Sequence, residues 1–148
     1  MKNKLRSILL VDDNSIDNFV HKRAIIKFNL STIIIAKDSA LDALEYLKSC
    51  ENIEDMQPDL IFLDINMPCM NGWEFLQEFE LLDKKLQSNV KIIMLSTSDN
   101  ADDIARAKNM SMVSDYMTKP LTIVNLKEIE NRYFANYSVE NTAEKVLV

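Results

Sequence analysis

The chain has 148 residues, enough for one domain with a well-buried core and too few for two domains of ordinary size. Apolar residues make up 47% of the sequence and charged residues 27%, which is typical of a globular protein and excludes a disordered chain. The formal net charge of -6 argues against a general nucleic-acid-binding surface, because such surfaces are basic. No apolar stretch approaches the roughly 20 residues that span a bilayer, so we expect a cytoplasmic protein without membrane contact.

The cysteines give no sign of a disulfide framework or a metal-binding module. Cys50 and Cys69 lack C-x-x-C spacing, and we expect both to be reduced and unpaired. No linker, repeat or low-complexity segment divides the sequence, so we treat residues 1–148 as a single domain with a core of about residues 5–137. The end, from about Ser138, lacks apolar periodicity and is predicted to fray.

Strand and helix patterns alternate along the first half of the chain. Residues 4–11 form an apolar strand, and Asn14 or Ser15 can cap the helix that follows. The apolar stripe of this first helix, read from its helical spacing, consists of Ile16, Phe19, Val20 and Ala24. His21 lies away from that stripe, so we expect it to be solvated. Residues 32–36 are β-branched and predict a second strand. Asp38 or Ser39 then opens a second helix, whose buried stripe is Ala40, Ala43, Leu44 and Leu47.

The second half continues the alternation. A polar loop, residues 49–59, leads into a third strand that ends at Asp64. Asn71-Gly72 makes a turn before a third helix, in which Trp73 is expected to be packed or half-exposed and which buries Phe75, Phe79, Leu82 and Leu86. Residues 90–95 and 112–117 are the fourth and fifth strands. The fourth helix has Asp102 and Asp103 in its first turn, where acids complement the helix dipole, and Pro120 introduces the fifth helix. Five βα units predict a parallel sheet buried between two helical layers.

Three acidic side chains follow apolar strands in this pattern. Asp12 and Asp13 come directly after the first strand, and Asp64 comes directly after the third. The carboxyl ends of parallel strands share one edge of the sheet, where open α/β folds bind ligands. If the strands are neighbours, Ser96 after the fourth strand and Lys119 after the fifth open onto the same edge.

This set of side chains suits phosphoryl transfer to a carboxylate. Clustered carboxylates repel one another unless a cation is present, and oxygen ligands favour Mg²⁺. Lys119 supplies a fixed positive charge and Ser96 a hydroxyl, and both can bind oxygens of a transferred phosphoryl group. We therefore predict a phosphoacceptor site that uses Mg²⁺.

These motifs also carry a resemblance to a known family. The sequence resembles the receiver domain of two-component response regulators at Asp12-Asp13, at Asp64 with Asn66, Met67-Pro68 and Gly72, at residues 92–96 and at residues 116–120. Each motif is common by itself, but their order, each at the end of an apolar strand, is specific. The resemblance runs from about Leu5 to Tyr137. It implies a flavodoxin-like, doubly wound (βα)₅ fold with strand order 2-1-3-4-5.

The resemblance implies a role for each acidic residue. Asp64 would accept the phosphoryl group of a phosphohistidine. Asp13 and Asp64 would bind Mg²⁺ directly, with the backbone carbonyl of Asn66 as the third protein ligand and with Asp12 acting mainly through water.

It also implies the parts of a switch. Ser96 would be the switch hydroxyl, which moves toward the phosphoryl group, and Tyr116 would be the switch aromatic, which turns into the space that Ser96 leaves. Lys119 would pair with the phosphoryl group, and its bond to Pro120 would be cis. The mild departures, Ser96 in place of the more usual threonine and Thr97 where a small residue is frequent, leave phosphorylation in place.

The implied partners follow from these roles. The donor would be a sensor histidine kinase or a histidine phosphotransfer protein, and the output would pass to a downstream protein partner or to another histidine. We expect no direct nucleic-acid binding, a monomer or weak dimer, and no enzymatic turnover beyond slow self-dephosphorylation.

Two alternatives from other functional classes stay open. A phosphatase of the haloacid-dehalogenase type uses a D-x-D signature whose second acid is the general acid, and that position is Asn66 here. Multiple-turnover hydrolysis of small phosphomonoesters would favour this alternative. A constitutive adaptor with a vestigial pocket would have no need of every charged group, and an absence of Mg²⁺ binding would favour it.

Overall fold

The computed structural model describes residues 5–97 and 100–135, so the tail predicted to fray from Ser138 lies outside the described residues. Within them the chain forms five strands and six α-helices. The strands are β1 (Ile8–Val11), β2 (Ile34–Lys37), β3 (Leu60–Leu63), β4 (Lys91–Ser96) and β5 (Val113–Thr118). The helices are α1 (Ser15–Phe28), α2 (Ala40–Ser49), α3 (Gly72–Phe79), α4 (Lys84–Asn89), α5 (Ala101–Lys108) and α6 (Ile123–Tyr133). A short 3₁₀ helix, Glu54–Met56, precedes β3.

The five strands form one parallel sheet of order β2-β1-β3-β4-β5, which confirms the predicted fold and strand order. All residues of β1 and β3 are buried, as a central strand covered on both faces requires. Val11 pairs with Leu63 in the register of these two strands. The residues that follow β1 and β3 therefore leave the sheet side by side.

Successive residues of each strand point to opposite faces of the sheet and create two apolar clusters. Leu9 and Val11 pack with residues of α2 to α5. Ile8 and Leu10 pack on the other face with residues of α1 and α6. The sheet thus lies between a layer of two helices and a layer of four.

Several local predictions are confirmed. Ser39 caps α2 by accepting a hydrogen bond from the backbone of Asp42, and the four predicted apolar residues of α2 are buried. Asp102 and Asp103 lie in the first turn of α5. Both cysteines are free. In the described part of the chain, no helix combines the length and the apolar character needed to cross a membrane.

The prediction of a single third helix is wrong. Its four apolar residues are all buried, but they are divided between α3, a turn and α4. Asp83 begins α4, because its side chain accepts a hydrogen bond from the backbone of Lys85 at 3.1 Å. Apolar spacing alone allowed a continuous helix, whereas an aspartate competes for backbone N–H groups and favours a helix start.

The predicted orientation of α1 is also wrong. His21 is 3% exposed, and it lies with Asn18 and Ile25 on the buried face of the helix. Asn14 does cap α1 as predicted. The expected apolar stripe faces outward instead, with Ile16 71%, Phe19 60% and Val20 44% exposed and Ala24 half-buried. The helix has apolar residues on two sides, and the side that is buried also carries Asn18 and His21. The hydrogen bond from the Asn18 amide to the backbone carbonyl of Asp12 favours the burial of this side.

Candidate functional site

The acidic residues predicted from the strand ends converge at the carboxyl edge of the sheet. Asp12 follows β1 and Asp64 follows β3, and the backbone N–H of Asp64 donates to the carbonyl of Val11 at 2.9 Å. Carboxylate oxygens of Asp12, Asp13 and Asp64 all lie within 4.8 Å of one another. Asp12 and Asp64 are buried, whereas Asp13 is exposed. The cluster is therefore half enclosed and open on the side of Asp13.

The protonation of Asp64 reflects this environment. Burial, followed by the nearby charge of Asp12, raises the pKa of Asp64 to about 6, and the positive charge of Lys119 opposes the increase. A cation at this position would relieve the repulsion between the carboxylates. Oxygen donors at this spacing match a hard divalent ion such as Mg²⁺, so the chemistry of the donor set fits the predicted metal.

Lys119 reaches the cluster from the end of β5. Its backbone N–H donates to the carbonyl of Ser96 at 2.8 Å, and its bond to Pro120 is cis, as predicted. The Nζ atom lies 2.5 Å from Asp12, 2.9 Å from Asp17 and 3.5 Å from Asp64. Burial lowers the pKa of Lys119, but the hydrogen bonds to the first two carboxylates and the charge of the third outweigh it and raise the pKa to about 12. Lys119 is thus a permanent cation beside the cluster.

The other predicted site residues lie around the same edge. Ser96 is the last residue of β4 and is fully buried, paired in register with Thr118. Asn66 is exposed in the loop that follows Asp64. Tyr116 is half-buried on β5 and lines a cavity of about 300 Å³ between α5 and α6. Their positions agree with the implied roles, and the roles themselves stay predictions.

Gly72 closes the loop that carries Asp64. Its backbone N–H donates to the carbonyl of Ile65 at 2.8 Å, and α3 starts here with a capping box between Asn71 and Glu74. A Cβ atom at position 72 would lie 2.5 Å from the carbonyl oxygen of Asp64. Only glycine allows this close approach, so the loop holds the backbone of Asp64 against the start of α3.

Comparison with known proteins agrees with this geometry. The sequence profile of the response regulator receiver domain matches residues 8–130. The chain belongs to the response regulator receiver domain family. The two-component response regulator ORR12 of Oryza sativa subsp. japonica is 30% identical over 124 residues, which cover 84% of this receiver domain and 94% of ORR12.

Solved structures show the same fold. A two-component response regulator from Cytophaga hutchinsonii has a TM-score of 0.82 and 31% identity, covering 88% of this receiver domain and 97% of that chain. The phosphorylated cyanobacterial phytochrome response regulator RcpA has a TM-score of 0.69 and 30% identity, covering 88% and 94% of the two chains. The Mn²⁺-bound response regulator Rcp1 has a TM-score of 0.64 and 27% identity, with 86% and 93% covered.

Some relatives are much longer than this receiver domain. The chain spans 55% of the two-component response regulator ORR1 of Oryza sativa subsp. japonica, with 29% identity over 136 residues. It spans 7% of hybrid signal transduction histidine kinase L of Dictyostelium discoideum, with 29% identity over 134 residues. Receiver domains thus occur both in response regulators and within histidine kinases.

The sequence reasoning missed three residues of α1 that belong to the surroundings of the site. Asp17 binds Lys119, and the Asn18 amide donates to the backbone carbonyl of Asp12 at 2.9 Å. His21 lines a small buried space together with Asn18 and Asp12. One signal was available: α1 starts directly after the acid pair, so polar residues on one side of its first two turns lie at the same edge.

The buried position of His21 determines its charge. Burial and, after it, the positive charge of Lys119 lower the pKa of His21, while Asp17 and Asp12 oppose the decrease. His21 is therefore neutral at physiological pH. This result replaces the predicted solvated histidine with a structural residue behind the acidic cluster.

Proposed function

We propose that this receiver domain accepts a phosphoryl group on Asp64 from a phosphohistidine of a sensor histidine kinase or a histidine phosphotransfer protein. The observation that carries the proposal is the meeting of three carboxylates within 4.8 Å beside the ammonium group of Lys119. A packed domain has no structural need for this arrangement, since buried acids are costly unless they are paired or bind a cation.

The transfer needs a nucleophile and a stabilised negative charge. A carboxylate oxygen of Asp64 attacks phosphorus, the new O–P bond forms while the N–P bond of the donor breaks, and the electron pair of that bond stays on the imidazole nitrogen. With a pKa of about 6, Asp64 is mostly ionised at pH 7.5 and is ready to attack. The Nζ atom of Lys119 lies 3.5 Å from Asp64 and would bind a phosphoryl oxygen there, and Ser96 would supply a second donor.

The acidic cluster is the proposed Mg²⁺ site. Asp13 and Asp64 would hold the ion directly, with the carbonyl of Asn66 as a further ligand and Asp12 acting through water. When bound, Mg²⁺ supplies positive charge to the oxygens of the phosphoryl group. The exposed position of Asp13 leaves an open path for the ion.

We propose that phosphorylation repacks the face formed by α5, β5 and α6, which then binds a protein partner. Tyr116 lines the cavity on this face. The carboxylate of Asp115, which also lines it, accepts hydrogen bonds from Arg132 at 2.9 Å and from the Tyr133 hydroxyl at 3.0 Å. An inward turn of Tyr116 would change the shape of this cavity. A monomeric or weakly dimeric state and a cytoplasmic location stay predictions.

We propose that the domain does not turn over external substrates. The phosphatase alternative needs a general acid two residues after Asp64, and Asn66 has no carboxyl proton to donate. The adaptor alternative predicts a protein that neither binds Mg²⁺ nor becomes labelled. Family membership agrees with a phosphoacceptor in signalling.

Mass spectrometry after incubation with Mg²⁺ and acetyl phosphate tests the proposal. We expect the wild-type protein to gain the mass of one phosphoryl group and the Asp64→Asn variant to gain none. Asp55→Asn is the matched control, because Asp55 is exposed in the segment before β3, at the opposite edge of the sheet. Full labelling of Asp64→Asn would show that another residue is the acceptor. Sustained phosphate release from phosphomonoesters would instead favour the phosphatase.

A further inference from the structure

Asp17 is a fourth carboxylate beside the site, and it takes no part in the proposed phosphoryl transfer or Mg²⁺ binding. It lies in the first turn of α1, and its Oδ2 atom accepts a hydrogen bond from Lys119 Nζ at 2.9 Å. The side chain of Asp17 is 32% exposed, whereas that of Lys119 is 9% exposed. Among the described residues, the carboxylates that converge within 4.8 Å are those of Asp12, Asp13 and Asp64. Asp17 therefore contacts Lys119 from outside the acidic cluster.

We propose that Asp17 is a positioning residue that holds Lys119 away from Asp64 and slows phosphorylation. This inference rests on the proposed function, since it assumes that Asp64 is the acceptor and that Lys119 binds the incoming phosphoryl group. A simpler role for Asp17 is that of an acid that complements the dipole of α1. The labelling rates of variants that keep or remove its charge separate the two roles.

The distances indicate competition for the ammonium group. Lys119 makes hydrogen bonds to Asp12 and Asp17, but its 3.5 Å separation from Asp64 exceeds the usual N–H···O distance of about 2.7–3.2 Å. Two of the three ammonium protons are thus directed to carboxylates other than the acceptor. The third proton faces Asp64 from 3.5 Å, and a phosphoryl oxygen that draws the ammonium group closer must compete with these two shorter bonds.

Of the two competing carboxylates, Asp17 is the one that Lys119 can leave more readily. Asp12 is buried, and its other oxygen accepts a hydrogen bond from the backbone of Asn14 at 2.9 Å, so it is fixed in place. Asp17 is partly exposed, and water can replace Lys119 as its partner. We therefore expect Lys119 to exchange Asp17, and not Asp12, for the phosphoryl group.

Charge acts in the same direction. Lys119 lies within 3.5 Å of the carboxylates of Asp12, Asp17 and Asp64, and Asp13 belongs to the same acidic cluster. A phosphodonor such as acetyl phosphate is itself an anion. Neutralising Asp17 removes one repulsive charge and leaves the three carboxylates of the cluster intact. The rate of phosphorylation should therefore rise, and salt should screen the difference.

Phosphorylation by acetyl phosphate, followed by intact mass with saturating Mg²⁺, tests this inference. At low ionic strength we expect Asp17→Asn and Asp17→Ala to be labelled about fivefold faster than the wild type. Asp17→Glu, which keeps the charge, should stay close to the wild-type rate. Asp55→Asn, an equal change of charge at the other edge of the sheet, should have no effect. The gain should shrink at about 1 M salt, where the Debye length is only about 3 Å.

A second readout needs no phosphorylation. In the NMR spectrum of the unphosphorylated protein, the Nζ–H₃ signal of Lys119 should shift and exchange faster with water in Asp17→Asn than in Asp55→Asn. An unchanged or slower rate of labelling in both neutral variants would overturn the inference, and so would a gain that salt leaves unaltered. If the wild type itself were not labelled on Asp64, the proposed function would fail instead.

Discussion

Without a cation, burial and the nearby carboxylate of Asp12 raise the pKa of Asp64 from 3.8 to about 6. The folded state therefore binds a proton more tightly than the unfolded chain does. Between these two pKa values, stability falls as the pH rises, because the unfolded state then releases the proton that the folded state retains. The destabilisation is complete above about pH 7 and absent below about pH 3.8.

The Asp64→Asn variant should for this reason be more stable than the wild type at neutral pH in a buffer that contains EDTA. The pKa shift corresponds to about 2–3 kcal/mol at pH 7.5, since one pKa unit equals about 1.4 kcal/mol. Urea unfolding at several pH values measures the difference. As the pH is lowered, we expect the stability difference between Asp64→Asn and the wild type to decrease through pH 6 and to vanish near pH 4. A stability difference that did not change with pH would show that ionisation of Asp64 does not destabilise the folded state.

At the scale of secondary-structure elements, α1 combines two tasks. Its buried face places Asn18 and His21 behind Asp12, and Asn14 caps the helix directly after the acid pair. Its outer face leaves Ile16 and Phe19 exposed. The helix thus holds the backbone of Asp12 in place through Asn18, while its first turn stays accessible beside the site.

The packing of α5 on α3 depends in part on an aromatic contact. The Arg106 guanidinium lies 4.4 Å from the centroid of the Trp73 ring, and Trp73 is buried, the packed alternative of the two that the sequence allowed. Trp73 directly follows Gly72, which touches the backbone of Asp64. The contact therefore connects a helix of the proposed output face with the loop that carries the acceptor.

Arg106→Ala should lower the free energy of unfolding by about 0.5–1 kcal/mol and shift the fluorescence emission of Trp73 to longer wavelength, because an exposed cation–π pair contributes about that much. Lys108→Ala is the matched control, since both cations lie in the last turn of α5 and interact equally with its dipole. Urea unfolding followed by tryptophan fluorescence measures both effects. Equal losses in the two variants would mean that only the helix dipole matters.

At the scale of the whole molecule, the strand order determines what the site contains. Asp12 and Asp64 lie 52 positions apart in the sequence but become neighbours because β1 and β3 are adjacent and in register. Lys119 joins them from β5, at the edge of the sheet, because its long side chain reaches back over the carboxyl ends of the strands. The acidic cluster is thus a property of the tertiary fold.

Mg²⁺ should stabilise the whole domain. A ligand that binds only the folded state adds about 2.7 kcal/mol when its free concentration is about 100 times Kd. We expect Mg²⁺ to raise the Tm of the wild type and of Asp55→Asn. The increase should be much smaller in Asp13→Asn, which removes an exposed carboxylate of the cluster and leaves the core unchanged. Thermal unfolding with and without Mg²⁺ measures it. An equal increase in all three proteins would place the ion elsewhere.

Much of the fold and of the acidic site could be predicted from local sequence. Apolar runs that are followed by Asp12 and Asp64 or end in Ser96 indicated both the parallel sheet and the residues at its edge. A strand that is buried on both faces consists of a continuous apolar run, and this pattern is visible in the sequence. The cap of α2 and the acids of α5 were equally local, since each depends on residues within one helical turn.

Other features depend on which surfaces meet. The burial of His21 and the bond between Asp17 and Lys119 both involve partners distant in sequence, whereas the start of α4 depends on the local cap of Asp83. A helix with apolar residues on two sides can turn either side to the sheet, and only the complete packing decides between them. The sequence by itself therefore determined the five strands of the parallel sheet and the residues that lie at its carboxyl edge. The tertiary structure decided how α1 is rotated and which carboxylates hold the lysine, because those choices depend on contacts between elements.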